Sequence, residues 1–116
     1  MSNPACDLAK NSCKPCEGGV LPLEQQEIER LLNGLDGWAQ MGKQLVKTWR
    51  FRNYHETMAF VNATAWISHR ENHHPDLDVG YDTCRVGYST HAIGGLSEND
   101  FICAAKVDAL MATPGS

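Results

Sequence analysis

The chain is 116 residues long, with 42% hydrophobic and 21% charged residues and a formal net charge of -4 at pH 7. That length suits one domain, and that composition excludes an intrinsically disordered or fibrous chain. The negative balance argues against direct binding to nucleic acid or to an anionic membrane surface, because no excess of positive charge is available to hold phosphates.

The sequence contains no run of about 18 apolar residues, as a membrane-spanning helix needs, and residues 1–19 lack the pattern of a secretory signal. We therefore expect no membrane partner and a cytoplasmic location. The five cysteines are an odd number. Without a secretory signal they predict reduced thiols rather than a disulfide framework.

Residues 1–20 are rich in Asn, Ser, Lys, Pro, Gly and Cys and show no helical or strand periodicity. They predict an irregular N-terminal segment that lies on or beside one domain spanning residues 21–116. Within this segment Cys13 and Cys16 form a CxxC pair, which could bind zinc or act as a redox couple. A zinc ribbon needs a second pair and a thioredoxin-like motif needs a preceding strand, so we expect loose cysteines instead.

The domain is predicted to begin with a helix near Leu21, with Pro22 in its first turn and Gly34 at its end. Residues 38–41 and 44–51 then flank a Gly-Lys pair. The alternation of side chains in the second stretch predicts a first β-hairpin. The first helix, before this hairpin, is predicted from apolar residues at helical spacing, which are Leu21, Ile28, Leu31, Leu32 and Leu35.

A second helix is predicted from Asn53 to Asn72. Asn53 and Glu56, which follows three residues later, resemble a capping box. Pro75 should stop the helix, because proline disfavours α geometry in the residue before it. The side chains that we expect to face the core are Met58, Val61, Ala65 and Trp66.

The next segment reads as a second hairpin. Leu77, Val79 and Tyr81 alternate with polar residues, as in a strand that is buried on one face. A turn at residues 82–83 would lead into its partner strand over residues 85–89.

Ser97, with Asp100 three residues later, predicts the cap of a third helix, which carries Ile102, Ala105 and Ala109 at helical spacing. The element order is therefore α-β-β-α-β-β-α. It indicates an α+β fold in which a four-stranded antiparallel sheet has three helices packed on one face. Such an open sheet has free edges, so we expect strand pairing between subunits and a homo-oligomer.

Four of the five histidines fall between residues 69 and 91, around the end of the second helix and the strands that follow. Histidine can donate or accept a proton near neutral pH. His69 and His73 share a helix face, whereas His74 lies where Pro75 breaks the helix. With His91, these residues predict an acid–base site.

Two other interpretations remain open for these histidines. A histidine in a last helical turn can simply interact with the helix dipole, which contributes roughly 0.3–1 kcal/mol. Alternatively His69, His73 and His91 could bind zinc, with Glu71 as the base of a hydrolase. Glu71 comes one residue later than in His-Glu-x-x-His, a rotation of about 100° on a helix, so we expect no metal.

The histidines also stand in a longer pattern, which resembles the signature of the pterin-4a-carbinolamine dehydratases. The resemblance runs from the Gly-Trp pair at residues 37–38 through the third helix, and the Cys-x-Pro-Cys-Glu-Gly-Gly lead-in is similar to that of bacterial members. His69 stands where many animal members carry glutamate, and Asn72 where many carry aspartate. The residues in register with the signature are His69, His73, His74, Pro75, Tyr81, His91 and Asp100.

The resemblance implies that the chain removes water from 4a-hydroxytetrahydropterin to give quinonoid dihydropterin. It implies that His73 and His91 exchange the protons, that His74 positions the substrate, and that no cofactor is needed, because the pterin is the substrate. It also implies a homodimer or homotetramer that serves a pterin-dependent phenylalanine hydroxylase. The alternative is a regulatory role, since animal members also act as dimerisation partners of a transcription factor. The residues expected to line the substrate site are His73, His74, Pro75, Thr90, His91, Ala92 and Ile93.

Overall fold

The computed structural model describes residues 8–13 and 21–112. None of the helices in these ranges is long and apolar enough to cross a membrane. From residue 21 onwards the elements follow the predicted order, with one additional 3₁₀ turn. They are α1 (Gln25–Leu32), β1 (Ala39–Met41), β2 (Gln44–Arg50), α2 (Tyr54–Glu71), β3 (Asp76–Val79), β4 (Thr83–Tyr88), the 3₁₀ turn His91–Ile93 and α3 (Glu98–Met111).

The four strands form one antiparallel sheet in the order β1-β2-β4-β3. In its centre Leu45 pairs with Tyr88, and these side chains are fully buried together with Cys84 and Val86 on the same face. Residues of all three helices belong to the core on that face. The opposite face is more polar, with Thr48 and Arg50 exposed there, although Val46 on the same face is buried. The predicted α+β architecture is therefore confirmed.

Local capping signals place α2 as predicted. The Asn53 side chain accepts a hydrogen bond from the Glu56 N–H at 2.9 Å, and the Glu56 carboxylate in turn accepts from the Arg52 N–H at 2.9 Å. These contacts satisfy amide groups that have no partner inside the helix. The helix ends at Glu71 and is capped by Asn72, which adopts a left-handed conformation with φ 51°.

The first helix begins later than its leucine pattern predicted. Leu21 is 83% exposed, and Pro22 lies before the helix rather than in its first turn. The reason is tertiary: the Leu23 N–H donates to the Leu96 carbonyl at 2.9 Å, which keeps residues 21–23 extended beside the loop before α3. The helix ends at Leu32, close to the predicted Gly34.

The buried face of α2 also differs from the prediction. Thr57, Phe60 and Thr64 are buried, whereas Ala65 and Trp66 are exposed. Two threonines can occupy this face because their hydroxyls donate to backbone carbonyls of the preceding turn, at 3.0 and 2.7 Å. Burial therefore leaves no hydroxyl unpaired, a condition that apolar periodicity alone does not anticipate. The predicted Met58 and Val61 are only partly buried.

The strand predicted around Leu77 is present as β3, but the prediction that it is half-buried was wrong. All four residues of β3 are exposed, and Tyr81 lies in the turn after the strand at 66% exposure. The strand is at one edge of the sheet. Edge position leaves Leu77 at 36% and Val79 at 40% exposure, although their pairing with Val86 and Cys84 places them on the core face.

Residues 8–13 lie on the domain. Residues 8–10 are helical, Leu8 is 5% exposed within the core, and Lys106 Nζ donates to the Ala9 carbonyl at 2.8 Å. Most of the segment predicted to be irregular, including Cys16, is outside the described residues. The boundary at residue 21 stays a prediction.

Candidate active site

The end of α2 directs His73 into the domain. The left-handed turn at Asn72 breaks the helix, and the His73 N–H still donates to the Ser68 carbonyl at 3.2 Å. The imidazole of His73 then stacks on the buried Tyr88 ring, with centroids 5.9 Å apart and planes 9° apart. Only 13% of this side chain is exposed.

Asp100 holds the other edge of this imidazole. Its Oδ1 lies 2.7 Å from His73 Nε2, and the carboxylate is completely buried. Its Oδ2 accepts from the Ser97 N–H at 2.9 Å and from the Thr90 hydroxyl at 2.8 Å. The residue that closes the capping box of α3 is thus also the partner of a predicted catalytic histidine.

This network favours one tautomer of His73, the one that an ionised Asp100 carboxylate would accept from. An ionised carboxylate only accepts hydrogen bonds, so Nε2–H must donate to Asp100. In the neutral imidazole, Nδ1 is then the nitrogen with a free lone pair. A buried carboxylate beside the ring also stabilises the imidazolium that forms when Nδ1 takes up a proton. The arrangement is suited to general base catalysis.

The loop after β4 carries His91. Thr90 and Gly95 exchange two backbone hydrogen bonds, of 3.0 and 3.5 Å, which close residues 90–95 into a narrow loop. Gly94 has φ 67°, and a Cβ at Gly95 would lie 2.8 Å from Pro22. Both positions therefore favour glycine. The loop presents His91, which is exposed, at the start of the 3₁₀ turn.

A cleft of about 390 Å³ lies between the end of α2, the loop after β4 and the start of α3. Its volume is in the usual range for a small-molecule site. Five of the predicted site residues line it, whereas Pro75 and Ile93 do not. The five are His73, His74, Thr90, His91 and Ala92.

The remaining histidines lie elsewhere. His69 is exposed, with its ring 6.4 Å from that of Trp66, and does not line the cleft. His55 is exposed in the first turn of α2. The structure therefore separates His69 from His73 and His91, the set considered for zinc. Within the described ranges, no group of three or more His, Cys, Asp or Glu side chains is arranged to hold a metal ion.

Two further residues that line the cleft, Glu71 and Cys13, were not among the predicted residues of the substrate site. Glu71 links the N-terminal segment to α3. Its Oε1 accepts from the Cys13 N–H at 2.9 Å, and its Oε2 lies 3.8 Å from Lys106 Nζ. Cys13 also lines the cleft and is not loose. The sequence indicated Asp100 as a capping residue. Its contact with His73 was not predictable, because it depends on how the end of α2 and the start of α3 meet in the fold.

The family model described as pterin 4 alpha carbinolamine dehydratase matches residues 21–110. A protein of Nitrosospira multiformis that provisionally bears the name pterin-4-alpha-carbinolamine dehydratase is 65% identical over 104 residues, covering 90% of this chain and 92% of its own. A relative from Nitrosomonas europaea with the same provisional name is 66% identical over 111 residues, covering 95% of this chain and 97% of its own.

Solved structures with the same fold include two related proteins. The crystal structure of a transcriptional coactivator/pterin dehydratase from Brucella melitensis has a TM-score of 0.74 and 25% identity, covering 77% of this chain and 97% of that one. A pterin dehydratase-like protein described as a RuBisCO assembly factor in the alpha-carboxysome has a TM-score of 0.57 and 30% identity. It covers 66% of this chain and 92% of that one.

Proposed function

Because the chain belongs to the pterin 4 alpha carbinolamine dehydratase family, we propose that it removes water from 4a-hydroxytetrahydropterin. The observation that carries the proposal is the orientation of His73 by Asp100 at a cleft that His74 and His91 also line. The product is quinonoid dihydropterin. This reaction would recycle the cofactor of an aromatic amino acid hydroxylase such as phenylalanine hydroxylase.

The dehydration transfers two protons. N5 of the pterin loses its proton, its electrons form the C4a–N5 double bond, and the 4a-hydroxyl leaves as water after gaining a proton. We assign the base to His73, whose Nδ1 has the free lone pair, and the acid to His91, which is exposed beside the cleft. His74 positions the pterin. Acid–base catalysis of this kind typically contributes ~10²–10⁴-fold in rate.

The proposed reaction needs no resident cofactor and no metal, since both transfers are proton transfers between imidazoles and substrate. Initial rates after treatment with a chelator, compared with rates in untreated protein, test this part. A loss of activity that zinc restores would contradict it.

The exposed edge of the sheet supports a homo-oligomer. Among the described residues β3 pairs on one side only, with β4, and Leu77 and Val79 are about two-fifths exposed. Pairing with a second copy would cover both, so we propose a homodimer or homotetramer. We separately propose a cytoplasmic location. Sedimentation equilibrium measures this state directly, and a monomer at micromolar concentration would contradict it.

The alternative is a regulatory role as a dimerisation partner, which would use exposed surface rather than the cleft. Removing both proposed proton-transfer residues distinguishes the two functions. The His73→Ala/His91→Ala variant should lose dehydration while binding of a protein partner would persist.

The direct experiment follows quinonoid dihydropterin formation from freshly generated 4a-carbinolamine, with and without the protein. The double variant should return the rate to its uncatalysed value. His69→Ala is a matched control, because it removes an exposed histidine of the same region that does not line the cleft. Full activity of the double variant would overturn the assignment.

A further inference from the structure

Two cysteines meet beside the cleft. Cys13 Sγ and Cys103 Sγ are 3.5 Å apart, although 90 residues separate them in the sequence. Cys13 lines the cleft, and Cys103 is fully buried in α3. Neither thiol has a part in the proposed dehydration.

The position of Cys13 is fixed by several contacts. Its N–H donates to Glu71 Oε1 at 2.9 Å, and its Sγ lies 3.7 Å from the Asn99 carbonyl. Five residues earlier, Leu8 is buried in the core. These contacts hold residues 8–13 against the domain, with the Cys13 sulfur beside α3.

We propose that Cys13 and Cys103 form a reversible disulfide, which fastens the N-terminal segment to α3 at the edge of the cleft when a low-molecular-weight disulfide oxidant is present. Bond formation shortens the sulfur–sulfur distance from 3.5 Å to about 2.05 Å. The two sulfur atoms must therefore approach each other by about 1.5 Å. Glu71 and Leu8 hold the segment close enough for that movement.

The two thiols differ in accessibility, and this difference sets the order of the steps. Cys13 is partly exposed, so an oxidant can reach it. The hydrogen bond with the Cys13 sulfur, followed by burial, raises the pKa of the Cys103 thiol well above its usual range. Cys103 therefore keeps its proton and does not react first.

The exchange is balanced in two steps. The Cys13 thiolate attacks the disulfide RS–SR, the S–S bond breaks, and one RS⁻ leaves and takes up a proton. Cys103 then loses its proton and attacks Cys13 Sγ, and the second RS⁻ leaves. The protein dithiol is oxidised by two electrons, and one oxidant disulfide is reduced to two thiols. In a reducing compartment such a bond is transient, as in redox-sensing proteins.

The test uses the full chain incubated with oxidised glutathione and then alkylated. Peptide mapping without reduction should give a fragment linking Cys13 to Cys103. Because the bond closes a loop that includes nearly the whole domain, Tm should rise by on the order of 10 °C and fall again after reduction. Both changes should disappear in Cys13→Ser and in Cys103→Ser.

Two controls make the outcome specific. Cys84→Ser removes another buried cysteine and should leave the cross-link intact. The Cys6→Ser/Cys16→Ser variant removes the thiols nearest in sequence and should also retain it. A wild-type disulfide that joins Cys13 to any other cysteine would overturn the proposal, as would an oxidised protein without the 13–103 fragment or without a higher Tm.

Discussion

His73 Nε2 and Asp100 Oδ1 lie 2.7 Å apart, although 27 residues separate them. The contact joins the end of α2 to the first turn of α3. Asp100 Oδ2 simultaneously accepts from the Ser97 N–H, as a helix cap requires. One buried carboxylate thus stabilises a helix terminus and orients a histidine of the proposed active site.

Replacing this carboxylate tests the orientation directly. Asp100→Asn should lower kcat by about 10²-fold or more, because an amide can donate to Nε2 and no longer stabilises an imidazolium. It should also change the pH dependence of kcat, which a purely structural defect would not do. The measurement is the initial rate of quinonoid dihydropterin formation across pH.

Ser97→Ala is the control for the cap. It removes a hydroxyl from the same capping box, at an expected cost of about 0.5–2 kcal/mol in the free energy of unfolding, and leaves the His73 contact in place. Urea denaturation of both variants separates stability from activity. If Ser97→Ala lost as much kcat as Asp100→Asn, with the same change in pH dependence, the orienting role would be wrong.

The exposed histidines should differ in kinetic effect. His91→Ala should lower kcat by about 10²-fold or more, because it removes the proposed acid. His74→Ala should mainly raise KM, since His74 is assigned to holding the pterin. Steady-state kinetics of the two variants check this contrast, and equal losses of kcat in both would contradict the division of roles.

Sequence was informative where the signal is local. The capping residues Asn53 and Ser97 act within one helical turn, so the starts of α2 and α3 were predictable. The exposure of β3 was not, because it depends on the order of strands in the sheet. The contacts of Asp100 with His73 and of Cys13 with Cys103 were also hidden, since each joins elements that meet only in the folded chain.

The core face of α2 provides a stability test. Phe60 is 4% exposed, and its ring packs 5.5 Å from Trp49 and 5.1 Å from Phe51. Phe60→Ala should cost about 3–5 kcal/mol in the free energy of unfolding, through lost burial and a cavity. Trp66→Ala, on the exposed face of the same helix, should change it by less than about 1 kcal/mol. Urea denaturation measures both changes. Equal losses in the free energy of unfolding would contradict the assignment of Phe60 to the buried face of α2 and of Trp66 to its exposed face.

The cap of α2 should make stability depend on acid pH. Glu56 Oε2 accepts from the Arg52 guanidinium and its Oε1 from the Arg52 N–H, and these hydrogen bonds hold the pKa of the carboxyl below its ordinary value of 4.5. A group whose pKa is lower in the folded state contributes stability that is fully present above its unfolded pKa. That contribution is lost as pH falls through the folded pKa.

The urea midpoint of Glu56→Gln should therefore be lower than that of the wild type at pH 7, and the gap should close as pH falls below about 4.5. Glu29→Gln is the control, because Glu29 is exposed on α1 and has no ion pair among the described side chains. It should show no such closing gap. A difference between wild type and Glu56→Gln that persists unchanged to pH 3 would mean that the carboxylate charge does not stabilise this helix start.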